Sequence, residues 1–226
     1  MTIFAPHFSI LPPAQQMIWP RLEPLSVTPW VLYEGTAIAL RLGHRVSVDF
    51  DFFSHTPLDK KELYRILPWL ETGDVLQEQG HTLTLSLPVG DDYVKLSFFG
   101  SIDFGRVGEP EQAGAKDAPA VASLDDLLAL KLATISSRVE IKDYRDIAAM
   151  LMAGKDLATG LAGAGALYKQ QFSPAVALRS LVWFEDIPDL EKEVRDILVE
   201  AARRCPLQLP PVNRISNRLT ASPDAV

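Results

Sequence analysis

The sequence predicts an α+β protein: a small sheet with helices in the first half, then a half that is nearly all helix. Three observations carry this. Apolar and polar residues alternate strictly over HTLTLSLPV, residues 81–89, and a second alternating run begins in YVKLSFFG, residues 93–100. Side chains alternate faces along a strand, so a period of two marks strands, and the intervening GDD reads as a hairpin turn. After Val121 the apolar spacing changes to three and four, which marks helices.

The elements follow in order. Residues 1–30 carry Pro6, Pro12, Pro13, Pro20, Pro24 and Pro29 and read as mostly irregular, with a short helix near Ala14–Trp19. Ala37, Ile38, Ala39 and Leu40 suggest a short buried helix from Gly35 to Leu42, stopped at Gly43. Ser47–Phe53 is rich in β-formers and reads as a strand. Leu58–Leu70 reads as an amphipathic helix on Leu63, Ile66, Leu67 and Leu70, broken at Gly73 and Asp74. The hairpin comes next, then a polar connection over Glu109–Pro119. Ser123 is a good N-cap, with Asp125 and Asp126 in the first turn of a helix expected to reach about Arg138. Further helices are expected at about Lys142–Met152, Leu157–Gln170, Pro174–Phe184 and Asp189–Arg204. The expected halves are residues 1–120 and 121–226, free to share one core.

Composition narrows the function. The chain has 226 residues, 47% hydrophobic and 23% charged, with a formal net charge of −7, as expected of a globular protein with a sizeable core. An acidic balance counts against avid nonspecific nucleic-acid binding. Cys205 is the single cysteine, so no intrachain disulfide forms. No signal peptide or membrane span is evident, so a cytoplasmic protein that does not enter the membrane is expected.

The chemistry centres on EGTAIALRLGHRVSVDFDFF, residues 34–53. Residues two apart on a strand share a face, so Asp49 and Asp51 lie side by side while Val48, Phe50 and Phe52 turn to a core. Adjacent carboxylates repel and resist desolvation, and a divalent cation relieves both problems. Mg²⁺ is suited to this, because it takes one or two carboxylates and fills its remaining positions with phosphate oxygens and water. Gly35 and Thr36 open a short helix, where free amides, a hydroxyl and the missing side chain suit a phosphate. Together these residues describe a nucleoside triphosphate and Mg²⁺ site. An Asp-x-Asp alone is equally at home on a solvated strand face.

This stretch resembles the signature of the AbiEii/AbiGii nucleotidyltransferase toxins, within the polymerase-β-like nucleotidyltransferases: a Gly-[Gly/Ser] pair, ten to thirteen residues, then Asp-x-[Asp/Glu]. Gly43 to Phe53 carries the toxin-like wording. A second block, ASLDDLLALKLATISSRVEIKDYRDIAAML at 122–151, resembles the family's helical block in its ordered Lys131, Arg138, Lys142, Asp143 and Asp146. The resemblance spans about residues 30–153. It implies a nucleotidyltransferase-like mixed sheet flanked by helices, with a helical C-terminal region. It also implies transfer of a nucleoside monophosphate from a nucleoside triphosphate to an acceptor hydroxyl, with Mg²⁺ on Asp49 and Asp51. Lys131 and Asp146 join that pair as expected catalytic residues. Gly35, Thr36, Arg45, Arg138 and Asp143 are the expected nucleotide-binding residues. In relatives the acceptor can be a tRNA end, and the toxin is paired with an antitoxin.

The second block has its own physical sense. Lys131 and Arg138 are seven apart, nearly one helix face, and both suit a triphosphate. Asp143 and Asp146 could hold those cations or orient a hydroxyl; ordinary surface ion pairs are the plain alternative. Glu34 stands where many relatives have a first glycine. The strand expected to carry a third carboxylate offers Lys95 and Ser97. These departures keep a non-catalytic interaction module open, beside nucleotidylation of a small molecule or a protein. Trp183 and Phe184 read as core, and the Glu191–Arg204 charges as a solvated helix face.

Overall fold

The computed structural model describes residues 2–221. The chain forms two compact units. One takes the residues up to Gly105, Glu109–Ser123 and the segment from Ser216; the other takes Arg106–Gly108 and Leu124–Ile215.

The first unit holds one mixed sheet. Among the described residues its strands are β1 (Ile3–Phe4), β2 (Val31–Tyr33), β3 (Asp49–Phe53), β4 (Asp74–Gln79), β5 (Thr82–Val89), β6 (Asp92–Phe99), β7 (Glu111–Ala113) and β8 (Ala120–Val121). Their order is β1-β7-β8-β2-β3-β6-β5-β4. β3 runs parallel to β6, and β2 antiparallel to β3. The hairpin is β5–β6, paired from Thr82↔Phe99 to Val89↔Asp92. Three helices, α1 (Pro13–Ile18), α2 (Glu34–Leu42) and α3 (Lys60–Ile66), belong to this unit.

Alternation sets the core. Leu83, Leu85 and Leu87 of β5, Val94, Leu96 and Phe98 of β6, and Phe50 and Phe52 of β3 are all buried. The ring of Phe52 stacks on Phe98 at 5.5 Å, and Trp19 lies 5.9 Å from Phe50. Val48 does not join them. It is 58% exposed, because β3 begins at Asp49 and Val48 lies in the preceding loop.

One boundary in this unit differs from expectation for a local reason. The helix expected to run to Leu70 stops at Ile66, followed by a 3₁₀ turn at Pro68–Thr72. Pro68 lacks an N–H and drives Leu67 out of the helical region; Leu67 has φ −123° and ψ 73°. α2 ends as expected, with Gly43 at φ 65° donating its N–H to Ala39 O at 2.8 Å, the left-handed cap that favours glycine.

The second unit is helical: α4 (Leu124–Thr134), α5 (Ile141–Met152), α6 (Leu157–Tyr168), α7 (Pro174–Leu181) and α8 (Lys192–Arg204). α4 is buried on nearly every side, including Asp126 and Lys131. It ends at Thr134, short of Arg138. There the Ser136 hydroxyl bonds Leu132 O at 3.3 Å and the Ser137 hydroxyl bonds Thr134 O at 3.0 Å, local bonds that compete with helix continuation. Asp126 is more than a first-turn charge, since it accepts from Val107 N at 2.6 Å and Gly108 N at 3.2 Å.

Candidate active site

In the first unit the site is built on neighbouring strands. The parallel register pairs Asp49 with Lys95 and Asp51 with Ser97, so all four side chains share one face. Asp49 and Asp51 are partly exposed, while Phe50 between them is sealed. The adjoining positions of β5, Thr84 opposite Ser97 and Ser86 opposite Lys95, extend that face with hydroxyls.

α2 is fastened to the start of this strand. The Thr36 hydroxyl, 1% exposed, bonds the Asp49 carbonyl and lies 2.8 Å from Ser47 Oγ. It therefore clamps helix to strand. A Cβ at Gly35 would displace the far end of the Arg45 side chain and sit 3.3 Å from Ser47 Oγ. The missing side chain lets Arg45 pack against the helix start. Ser47, which the motif reading did not single out, is the shared partner.

The electrostatics are those of an acidic site that Lys95 offsets in part. Burial pushes the Asp51 carboxyl above the usual aspartate range, and the hydrogen bond with Ser97 opposes it. The Glu34 and Asp49 carboxylates add to the rise, and Lys95 offsets part of it. Lys95 Nζ lies 3.4 Å from Asp49 Oδ2. Glu34 has φ 59°, a left-handed conformation that glycine adopts without strain. Among the described residues no group of three or more His, Cys, Asp or Glu side chains could hold a metal. Two adjacent carboxylates, one of them destabilised as an anion, fit Mg²⁺ that keeps water or phosphate oxygens in its other positions.

The second unit gathers the other block. Lys131 Nζ lies 2.6 Å from Asp143 Oδ1 and 3.4 Å from Asp146 Oδ2, with all three side chains at most 1% exposed. Asp143 and Asp146 are three apart on α5 and so reach the same cation. Arg138 was expected on the helix face of Lys131. It lies beyond the end of α4 instead and meets Lys131 through Asp143, with Nε 3.1 Å from Asp143 Oδ2.

A cleft of about 420 Å³ in this unit is lined by Ser136, Arg138, Tyr144, Arg179, Trp183 and Asp186. Trp183 lies beyond the end of α7 and is 49% exposed, not a core residue. Phe184 is half-buried. The apolar run LVWF, residues 181–184, conceals this, because the helix stops before Trp183.

A mixed α+β fold with a carboxylate pair on a strand beside a Gly-Thr helix start defines a nucleotidyltransferase-like protein. The chain belongs to the AbiEii family, described as the nucleotidyl transferase AbiEii toxin of type IV toxin–antitoxin systems, which it matches over residues 23–218. It is also 30% identical over 158 residues to the uncharacterized protein aq_aa25 of Aquifex aeolicus (strain VF5), covering 67% of this chain and 72% of that protein. Among the described residues no helix is long and apolar enough to cross a membrane.

Proposed function

We propose that this chain transfers a nucleoside monophosphate from a nucleoside triphosphate to an acceptor hydroxyl, as the toxin of a pair with an antitoxin. The observation that carries the reading is the shared face of Asp49 and Asp51, with Asp51 destabilised as an anion by burial and by its acidic neighbours. Asp49 and Asp51 would hold Mg²⁺, which would supply charge neutralisation for the phosphates. The acceptor oxygen bonds the α-phosphorus, the bond to pyrophosphate breaks, and the acceptor proton leaves to solvent. Gly35 and Arg45 shape the phosphate end, and Thr36 fixes Asp49 from behind. In the second block Asp143 and Asp146 keep Lys131 charged and fixed, and Arg138, 42% exposed at its side chain, is a cation suited to phosphate. Nucleoside triphosphates place the work in the cytoplasm.

The cleft with Arg138, Arg179 and exposed Trp183 favours an RNA acceptor such as tRNA, since cations track phosphates and an aromatic ring stacks a base. Two observations favour a non-catalytic nucleotide-binding module as a second reading: Glu34 at the glycine position and Lys95 on Asp49. Labelled α-phosphate from each nucleoside triphosphate, offered with a cell extract, separates them. Transfer to RNA that Asp51→Ala abolishes supports the enzyme. Nucleotide binding without transfer in any extract leaves the module.

A further inference from the structure

The face that carries Asp49 and Asp51 can be inventoried strand by strand from the register. β3 contributes those carboxylates, β6 contributes Lys95 and Ser97, and β5 contributes Thr84 and Ser86. β2 pairs Tyr33 with Asp51 and is followed by Glu34, whose carboxylate acts on Asp51, yet among the described residues no third acidic side chain completes a metal-holding group with the pair. At the position beside Asp49 the face holds an ammonium instead, 3.4 Å from Asp49 Oδ2 and 45% exposed at its side chain.

We propose that Lys95 is a built-in counter-cation that restricts this site to one divalent cation per chain. The proposal rests on the reading of Asp49 and Asp51 as metal ligands and deepens it. Asp49, Asp51 and Lys95 leave one net negative charge on the strands, and the Glu34 carboxylate adds a second, which one dication neutralises. A second dication would need a further anionic ligand, and the neighbouring hydroxyls of Ser97, Thr84 and Ser86 are neutral. It would also stand against the Lys95 ammonium, and like charges at contact distance disfavour one another. Lys95 therefore acts as a positioning and specificity residue. It holds Asp49 before the metal arrives, competes with the first cation for that carboxylate, and excludes the second.

The test is a Mn²⁺ titration of the full chain without nucleotide, following free Mn²⁺ by electron paramagnetic resonance, with melting curves to confirm folding. The wild type is expected to bind one Mn²⁺. Lys95→Ala is expected to bind it about tenfold more tightly, the order expected for removing one competing charge. Lys95→Arg should stay near the wild type, and Lys95→Asp should admit a second ion. Two ions in the wild type, unchanged affinity in Lys95→Ala, or a single ion in Lys95→Asp would each overturn the role of Lys95 and leave the carboxylate pair standing. Undiminished Mn²⁺ affinity in Asp49→Asn would overturn both the pair and the role of Lys95.

Discussion

Lys131 and Asp143 form an ion pair of 2.6 Å sealed from solvent, with Asp146 Oδ2 also 3.4 Å from the ammonium. A buried carboxylate left without its cation is costly, typically by about 3–5 kcal/mol. Lys131→Met is therefore expected to lower unfolding free energy in urea by about 3 kcal/mol or more. Adding Asp143→Asn to it should recover part of the loss. Unfolding midpoints equal to the wild type would show that the pair carries no stability.

Asp51 predicts a pH dependence. Its folded pKa is raised above the ordinary 3.8 by burial, opposed by Ser97. The native state thus holds that proton more tightly than the unfolded chain. This contribution to stability is fully present below 3.8 and is lost as pH rises through the folded value. Urea midpoints taken from pH 3.8 upward should fall in this window for the wild type. In Asp51→Asn that component should disappear, and Mg²⁺ with a non-hydrolysable triphosphate should bind clearly more weakly.

Glu34 separates strain from charge. Glu34→Gly relieves a left-handed φ, worth about 1 kcal/mol, and should raise Tm by about 2 °C or more. Glu34→Ala removes the same carboxylate and keeps the strain, so it should give no comparable gain. Calorimetry should show both variants binding nucleoside triphosphate more tightly, because each removes a negative charge beside the phosphates. Equal Tm shifts in the two variants would refute the strain argument.

Trp183 and Arg179 test the acceptor. Both are exposed, so Trp183→Ala and Arg179→Ala should shift Tm little. Each is expected to weaken binding of a single-stranded RNA by about tenfold, the order of one lost stacking or phosphate contact. Triphosphate binding should be untouched. RNA affinity unchanged in both variants would remove the cleft from the acceptor path.

The long alternating and periodic stretches were legible. The β5–β6 hairpin, α2 with its glycine stop, and α5 and α6 lie where the pattern of apolar residues put them. β1, β7 and β8 are two or three residues long and too short to show any period. β4 has every residue exposed, and its adjacent Val75 and Leu76 show no alternation. The aspartate pair was legible because a strand's period of two is local. The meeting of Arg138 with Asp143 was not, because it depends on where α4 stops. That stop is set by hydroxyl groups turning back onto the helix backbone. Lys95 was visible as an oddity, but only the parallel register shows that it stands beside Asp49.

The chain changes unit at Gly105, Gly108, Ser123 and Ile215. Along the sequence the helical unit is thus an insert within the sheet unit, and its first three residues come before the last two strands of the sheet. Ile215 N–H donates to Arg106 O at 2.9 Å, closing this insert at its neck. A gene truncated after residue 123 would encode all the described strands, yet leave Arg106–Gly108 without the Asp126 carboxylate that receives two of its amides. Swapping modules between relatives would therefore require two splice segments, not one.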